Sequence, residues 1–157
     1  MPIAWEDIKV EISEIEISTL LENWNWLVPN NLSPILVSSL GDMWLKDSQG
    51  QIFWLNVGVG CLDKVASTET EFMVKLNDDQ IANEWFMFEL IQELKNIGLK
   101  PNNKQLFGYI LLPIIGGKYN ADNFELTSIQ QHFSYSGQIH KQLRDLPDGT
   151  MVNLEFQ

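Results

Sequence analysis

The chain has 157 residues, 45% hydrophobic and 20% charged, which fits one ordinary domain with a single core and argues against a second. Ten Lys and Arg against 21 Asp and Glu leave a formal net charge of −11, which repels nucleic-acid phosphates and anionic membranes and favours a basic partner. Cys61 stands alone and cannot close an intramolecular disulfide. No basic-then-apolar leader opens the chain, and its longest apolar run, Tyr109 to Ile115, is far short of the ~20 residues that cross a bilayer, so no membrane span is expected and the cytoplasm is the expected compartment.

Residues 1–17 alternate acidic and apolar positions, a pattern open to a strand or an extended arm. Leu20, Leu21, Trp24, Leu27 and Val28 then recur at three- and four-residue spacing, predicting a short packing helix from Ser18 to Val28 that Pro29 ends. Met43–Lys46 and Ile52–Leu55 are β-favouring runs joined by the polar loop Asp47–Gln51, which predicts a hairpin. Thr68 and Glu71 have capping-box spacing before Phe72 and predict a helix to about Leu76.

The most regular stripe, Ile81, Trp85, Phe88, Ile91 and Leu94, predicts one helix from Asp79 to Ile97, closed by Gly98 and Pro101. Alternation at Phe107, Tyr109 and Leu111 predicts a strand over Gln105–Leu112, stopped by Pro113 and the pair Gly116-Gly117. Phe124–Thr127 reads as a short strand, and Ile139, Leu143 and Leu146 mark a helix that ends at Pro147-Asp-Gly149. Val152, Leu154 and Phe156 alternate with polar residues and predict a final half-buried strand. Strand and helix signals are interspersed without a regular βαβ repeat, so the expected fold is α+β: one domain over 1–157 with a largely antiparallel sheet and several packed helices.

Motifs for chemistry are sparse. Gly58-Val-Gly60-Cys-Leu-Asp63 follows a strand as a dinucleotide loop would, but Asp63 occupies the third glycine position and no helix opening follows. It reads as a turn or bulge leading to another strand. His132 and His140 would lie about 12 Å apart along a helix and cannot share an ion. Ser136, His140 and Asp145 are the residue types of an acyl-transfer triad, yet the nucleophile-elbow glycines are missing. Cys61 reads as a small buried hydrophobe, and Trp44, Trp54 and Trp85 as core. No cofactor and no metal site are expected.

Charge is uneven along the chain. Residues 1–78 carry 4 Lys and 12 Asp/Glu, a net −8, against −3 for the remainder, so a basic partner is expected on the N-terminal half, at Glu11, Glu14, Glu16, Glu22 or Asp42.

The runs Trp24-Asn-Trp-Leu-Val-Pro29, Gly41-Asp42, Gly50-Gln-Ile-Phe-Trp-Leu55 and Ala66-Ser67 with Glu71-Phe72 form the first half of a family pattern. Gln105-Leu-Phe-Gly-Tyr109, Pro113-Ile-Ile-Gly-Gly117 with Asn123, and the long run from Gly137 to Gly149 form the second. Together, over about residues 20–152, they resemble a bacterial family formerly called domain of unknown function 1851. That family includes the C-terminal domain of an immunity protein that neutralises a DNase toxin of type VI secretion. Larger relatives carry an extra N-terminal domain for which this chain is too short.

The resemblance implies a non-enzymatic cytoplasmic binding protein whose partner is a basic protein toxin, a DNase, held inside the producing cell. For the motif residues Gly116, Gly117, Asn123, Gly137, Gln138, His140, Asp145, Pro147 and Gly149 the expected role is structural: turn geometry from the glycines, and helix-to-backbone ties from the polar side chains. The competing expectation is a small-molecule-binding or hydrolytic enzyme with a site around Gly116, Gly117 and His140, in which those polar groups converge on a pocket.

Overall fold

The computed structural model describes residues 4–12, 17 and 19–157. Strands β1 (Lys9–Val10), β2 (Ser33–Ser38), β3 (Met43–Lys46), β4 (Ile52–Asn56) and β5 (Cys61–Ala66) form one sheet in chain order, every pair antiparallel. A second, two-stranded ribbon joins β6 (Gln105–Tyr109) to β7 (Phe124–Ser128). It is tied to the larger sheet by the Phe107 amide, which donates to the Ser39 carbonyl at 2.8 Å. The α+β expectation with a largely antiparallel sheet is met.

Strand alternation sends side chains to two cores, one on each face of the sheet. Trp44, Ile52 and Ala66 pack with helices α2 (Glu69–Leu76), α3 (Asp79–Phe86) and α4 (Phe88–Asn96), through Phe72, Trp85, Phe86, Leu90, Ile91 and Leu94. Met43, Leu45 and Leu55 pack the other way, with Leu20, Trp24 and Val28 and with Ile129 and Phe133 of helix α5 (Ile129–Leu143). Trp44 and Trp54, directly opposite in the β3–β4 hairpin, stack with centroids 5.9 Å apart, and Trp85 leans on both. Of the three tryptophans expected in the core, Trp44 and Trp85 are buried and Trp54 is half-buried.

Several elements depart from the sequence pattern. The stripe from Asp79 to Ile97 is two helices, broken at Met87, whose backbone is left-handed at φ 52°, ψ 61°. Trp85 before the break and Ile91 after it pack into the same core. Residues 22–28 form a 3-10 turn (Glu22–Trp24) and further tight turns rather than a regular helix, although Leu20, Trp24 and Val28 are buried as their spacing predicts. At the N-terminus, Trp5–Ile8 is a short helix (α1) leading into β1.

Helix α5 starts at Ile129, with the Ser128 hydroxyl accepting the Gln131 amide at 3.2 Å, ten residues before the apolar spacing becomes visible. The final strand expected at Val152–Phe156 does not form. Glutamine side chains of α5 take the place of a neighbouring strand: the Glu155 amide donates to Gln142 Oε1 at 2.9 Å, and the Gln157 amide to Gln138 Oε1 at 2.7 Å. Strand β2 escaped the sequence reading because Pro34 interrupts it. The proline sits beside a register shift that turns Ile35 outward.

Candidate functional site

The polar groups inside the molecule serve first to fix the connections between strands. Asp42, at the start of β3, is 5% exposed, and its carboxylate accepts the Val57 amide at 2.9 Å and the Trp54 indole N–H at 3.1 Å. Asp42, expected to meet a partner, is thus enclosed, with its carboxylate bonded to the turn after β4. Burial raises its pKa to about 7, against the lowering effect of those two hydrogen bonds. His132 donates Nε2–H to the Gly41 carbonyl at 2.9 Å, and burial lowers its pKa to about 4. His140 donates Nε2–H to the Val57 carbonyl at 2.7 Å, and burial lowers its pKa too.

The Gly58/Gly60 motif is the turn between β4 and β5, as the sequence reading has it. Gly60 lies at φ 74°, and a Cβ there would stand 2.5 Å from His140 Nδ1. Glycine is required twice over: for the left-handed backbone and for the approach of the imidazole. Cys61, read as buried, is an exposed free thiol at the start of β5.

The remaining motif residues fall in three places. Asn123 accepts the Leu111 amide at 2.9 Å and donates to the carbonyls of Leu111 and Lys118 at 2.8 and 2.9 Å, pinning the loop that follows β6. Gly116 ends the 3-10 turn Pro113–Ile115, and Gly117 packs so closely that a Cβ would meet the Leu111 carbonyl. Gly137 lets α5 approach the Asn23 carbonyl, while Gln138 bonds Ser134 and the Gln157 amide. Asp145 is exposed, 3.4 Å from Arg144.

Ser136, His140 and Asp145 do not assemble as a triad. The serine hydroxyl donates to the His132 carbonyl of its own helix, His140 is held by Val57, and Asp145 faces solvent.

A cleft of ≈ 660 Å³ lies between the β4–β5 turn, the 113–115 turn and the chain after α5. His140, Pro147 and Gly149 line it, together with Trp26 and Arg144, whose guanidinium lies 5.4 Å from the Trp26 ring centroid. Gly116, Gly117, Asn123 and Gln138 are not among its lining residues.

Acidic side chains are sorted between the two helical layers. Residues 69–96, which carry α2, α3 and α4, hold Glu69, Glu71, Asp78, Asp79, Glu84, Glu89 and Glu93 against Lys75 and Lys95. Both lysines are engaged: Lys75 with the Val65 carbonyl at 2.6 Å and Glu71 at 3.3 Å, Lys95 with Asp7 at 2.9 Å. Across the sheet, α5 holds no Asp or Glu. Of the acidic residues singled out from the N-terminal half, Glu11 is exposed and paired with Lys9 at 2.9 Å, and Glu22 is exposed. Glu14 and Glu16 lie outside the described residues. The α2–α4 layer was missed because counting charge by halves of the chain splits it at residue 78.

Residues 66–140 match a family described as the T6SS immunity protein Tdi1, C-terminal. The resemblance drawn from the sequence motifs is to the same C-terminal domain. The match covers all of α2–α4, the β6–β7 ribbon and most of α5, and it supports an immunity role connected with type VI secretion. No curated protein matches the chain. Among the described residues no helix is long and apolar enough to cross a membrane.

Proposed function

We propose that the chain is an immunity protein that neutralises a type VI secretion toxin of the nuclease class by binding it directly, without catalysis, in the cytoplasm of the producing cell. The observation that carries this reading is the acidic layer α2–α4, which lies wholly within the stretch matching the immunity family and whose two lysines are bound internally. A nuclease holds its polyanionic substrate in a basic cleft. A fixed array of carboxylates is electrostatically complementary to such a cleft and speeds encounter with it.

The competing reading, a hydrolytic or small-molecule site near Gly116, Gly117 and His140, requires those polar groups to converge. Asn123 and His140 instead spend their hydrogen bonds on separate stretches of main chain, and Gln138 on the Ser134 hydroxyl and the Gln157 amide, so that reading loses its motivation.

Affinity capture of the tagged chain from the lysate of its source cell, at low and moderate salt with mass-spectrometric identification, tests the proposal. Near-stoichiometric retention of a basic nuclease is expected. Retention of no nuclease at either salt would contradict it.

A further inference from the structure

We infer that the outer face of α2, from which Met73 and Val74 project, is the docking surface for a basic protein, with the free carboxylates of α3 and α4 steering the partner onto it. The inference rests on the toxin-binding reading and names the surface that reading leaves open.

Helix α2 buries one side only: Phe72 packs on Trp85 with centroids 5.7 Å apart. Met73 and Val74, the next positions around the helix, are 54% and 66% exposed. Valine is a poor helix former, so helix propensity does not account for it on a solvent-facing turn. Two large apolar side chains on one turn, followed in the chain by Asn77, Asp78 and Asp79, have the composition of a contact patch with a desolvating centre and a charged rim.

Charge decides the occupant. Among the described residues Asp79, Glu84, Glu89 and Glu93 form no ion pair, and both lysines of the layer are already held. A second copy docking through the same face would set these carboxylates against themselves across a two-fold axis, which is repulsive. A basic surface would neutralise them.

The probe is the nuclease retained by the wild-type chain, purified in an inactive form. Amide hydrogen exchange should show α2 and the start of α3 protected in the complex. Met73→Ala with Val74→Ala should speed dissociation about 10-fold and leave association nearly unchanged. Replacing Asp79, Glu84, Glu89 and Glu93 by Lys should slow association about 10-fold at low salt, with the difference closing at high salt. Circular dichroism of each variant keeps loss of fold from being read as loss of contact.

If the nuclease binds both variants like wild type and protection falls elsewhere, the surface is wrong while toxin binding stands. If α2 becomes protected without nuclease as chain concentration rises, the face is a self-association surface and the inference is overturned. If the wild-type chain retains no nuclease, the toxin-binding reading fails and the surface falls with it.

Discussion

His140 donates its Nε2–H to the Val57 carbonyl at 2.7 Å, and the amide of the same Val57 donates to Asp42 at 2.9 Å. One peptide segment is thus held from helix α5 on one side and from the start of β3 on the other. Around it, Asp42, His132 and His140 each spend a buried side-chain hydrogen bond on the main chain of a neighbouring connection.

Burial shifts two of these groups in opposite directions. In the unfolded chain Asp42 titrates near ~3.9 and His132 near ~6.5; in the folded protein they titrate at about 7 and about 4. For Asp42 the folded pKa is raised, so its contribution to stability is full below the unfolded value and is lost as pH rises through 7. For His132 it is lowered, so stability is lost as pH falls from ~6.5 through 4. Between these limits the two slopes oppose and nearly cancel. Asp42→Asn should expose a stability that rises with pH by about 1.4 kcal/mol per unit over pH 4–6.5, and His132→Gln one that falls by a similar amount. Urea titrations at half-unit pH steps check both signs.

The close fit of Gly60 against His140 predicts non-additivity. Gly60→Ala should cost on the order of 3 kcal/mol, from the left-handed backbone and the clash with the imidazole. In a His140→Ala background the same change should cost clearly less, because only the backbone part survives. A double-mutant cycle of unfolding free energies measures the difference.

Met87 sets the break between α3 and α4 at positive φ. Replacement by Leu should be close to neutral, whereas Val, branched at Cβ, should cost about 2 kcal/mol more, because branching crowds the left-handed backbone. Thermal melts of the two variants provide the comparison.

Asn123 is predicted to act on structure and not on any partner. Asn123→Ala removes three hydrogen bonds from the loop after β6 and should lower stability by about 2 kcal/mol, with toxin affinity retained at temperatures where the variant is folded. Calorimetric melting and a binding titration on the same variant separate the two effects.

The β3–β4 hairpin, the helix from Glu69, the ribbon strands and the burial of Leu20, Trp24 and Val28 were legible because each rests on local periodicity or turn chemistry. The capping box was legible with one change: Glu71 reaches the Ser67 amide at 2.9 Å instead of that of Thr68. The break at Met87 was not legible, since no glycine or proline between Asp79 and Ile97 marks it. Nor was the first half of α5, whose inward face sets the polar or small His132, Ser136 and Gly137 among Ile129 and Phe133 and so interrupts the apolar period. The burial of Asp42 was not legible either. Counting charge along the chain treats every carboxylate as solvated, and only the tertiary fold shows that this one is enclosed while those of α3 and α4 are free.

The most direct measurement is a titration of the purified chain into an assay of the nuclease it retains, with DNA cleavage followed at fixed enzyme and low salt. Toxin neutralisation by direct binding predicts that cleavage falls linearly to zero at a fixed, near-equimolar ratio, and that the inhibition weakens as salt is raised. Cleavage that continues undiminished with the chain in several-fold excess, while the two proteins still co-purify, would contradict it.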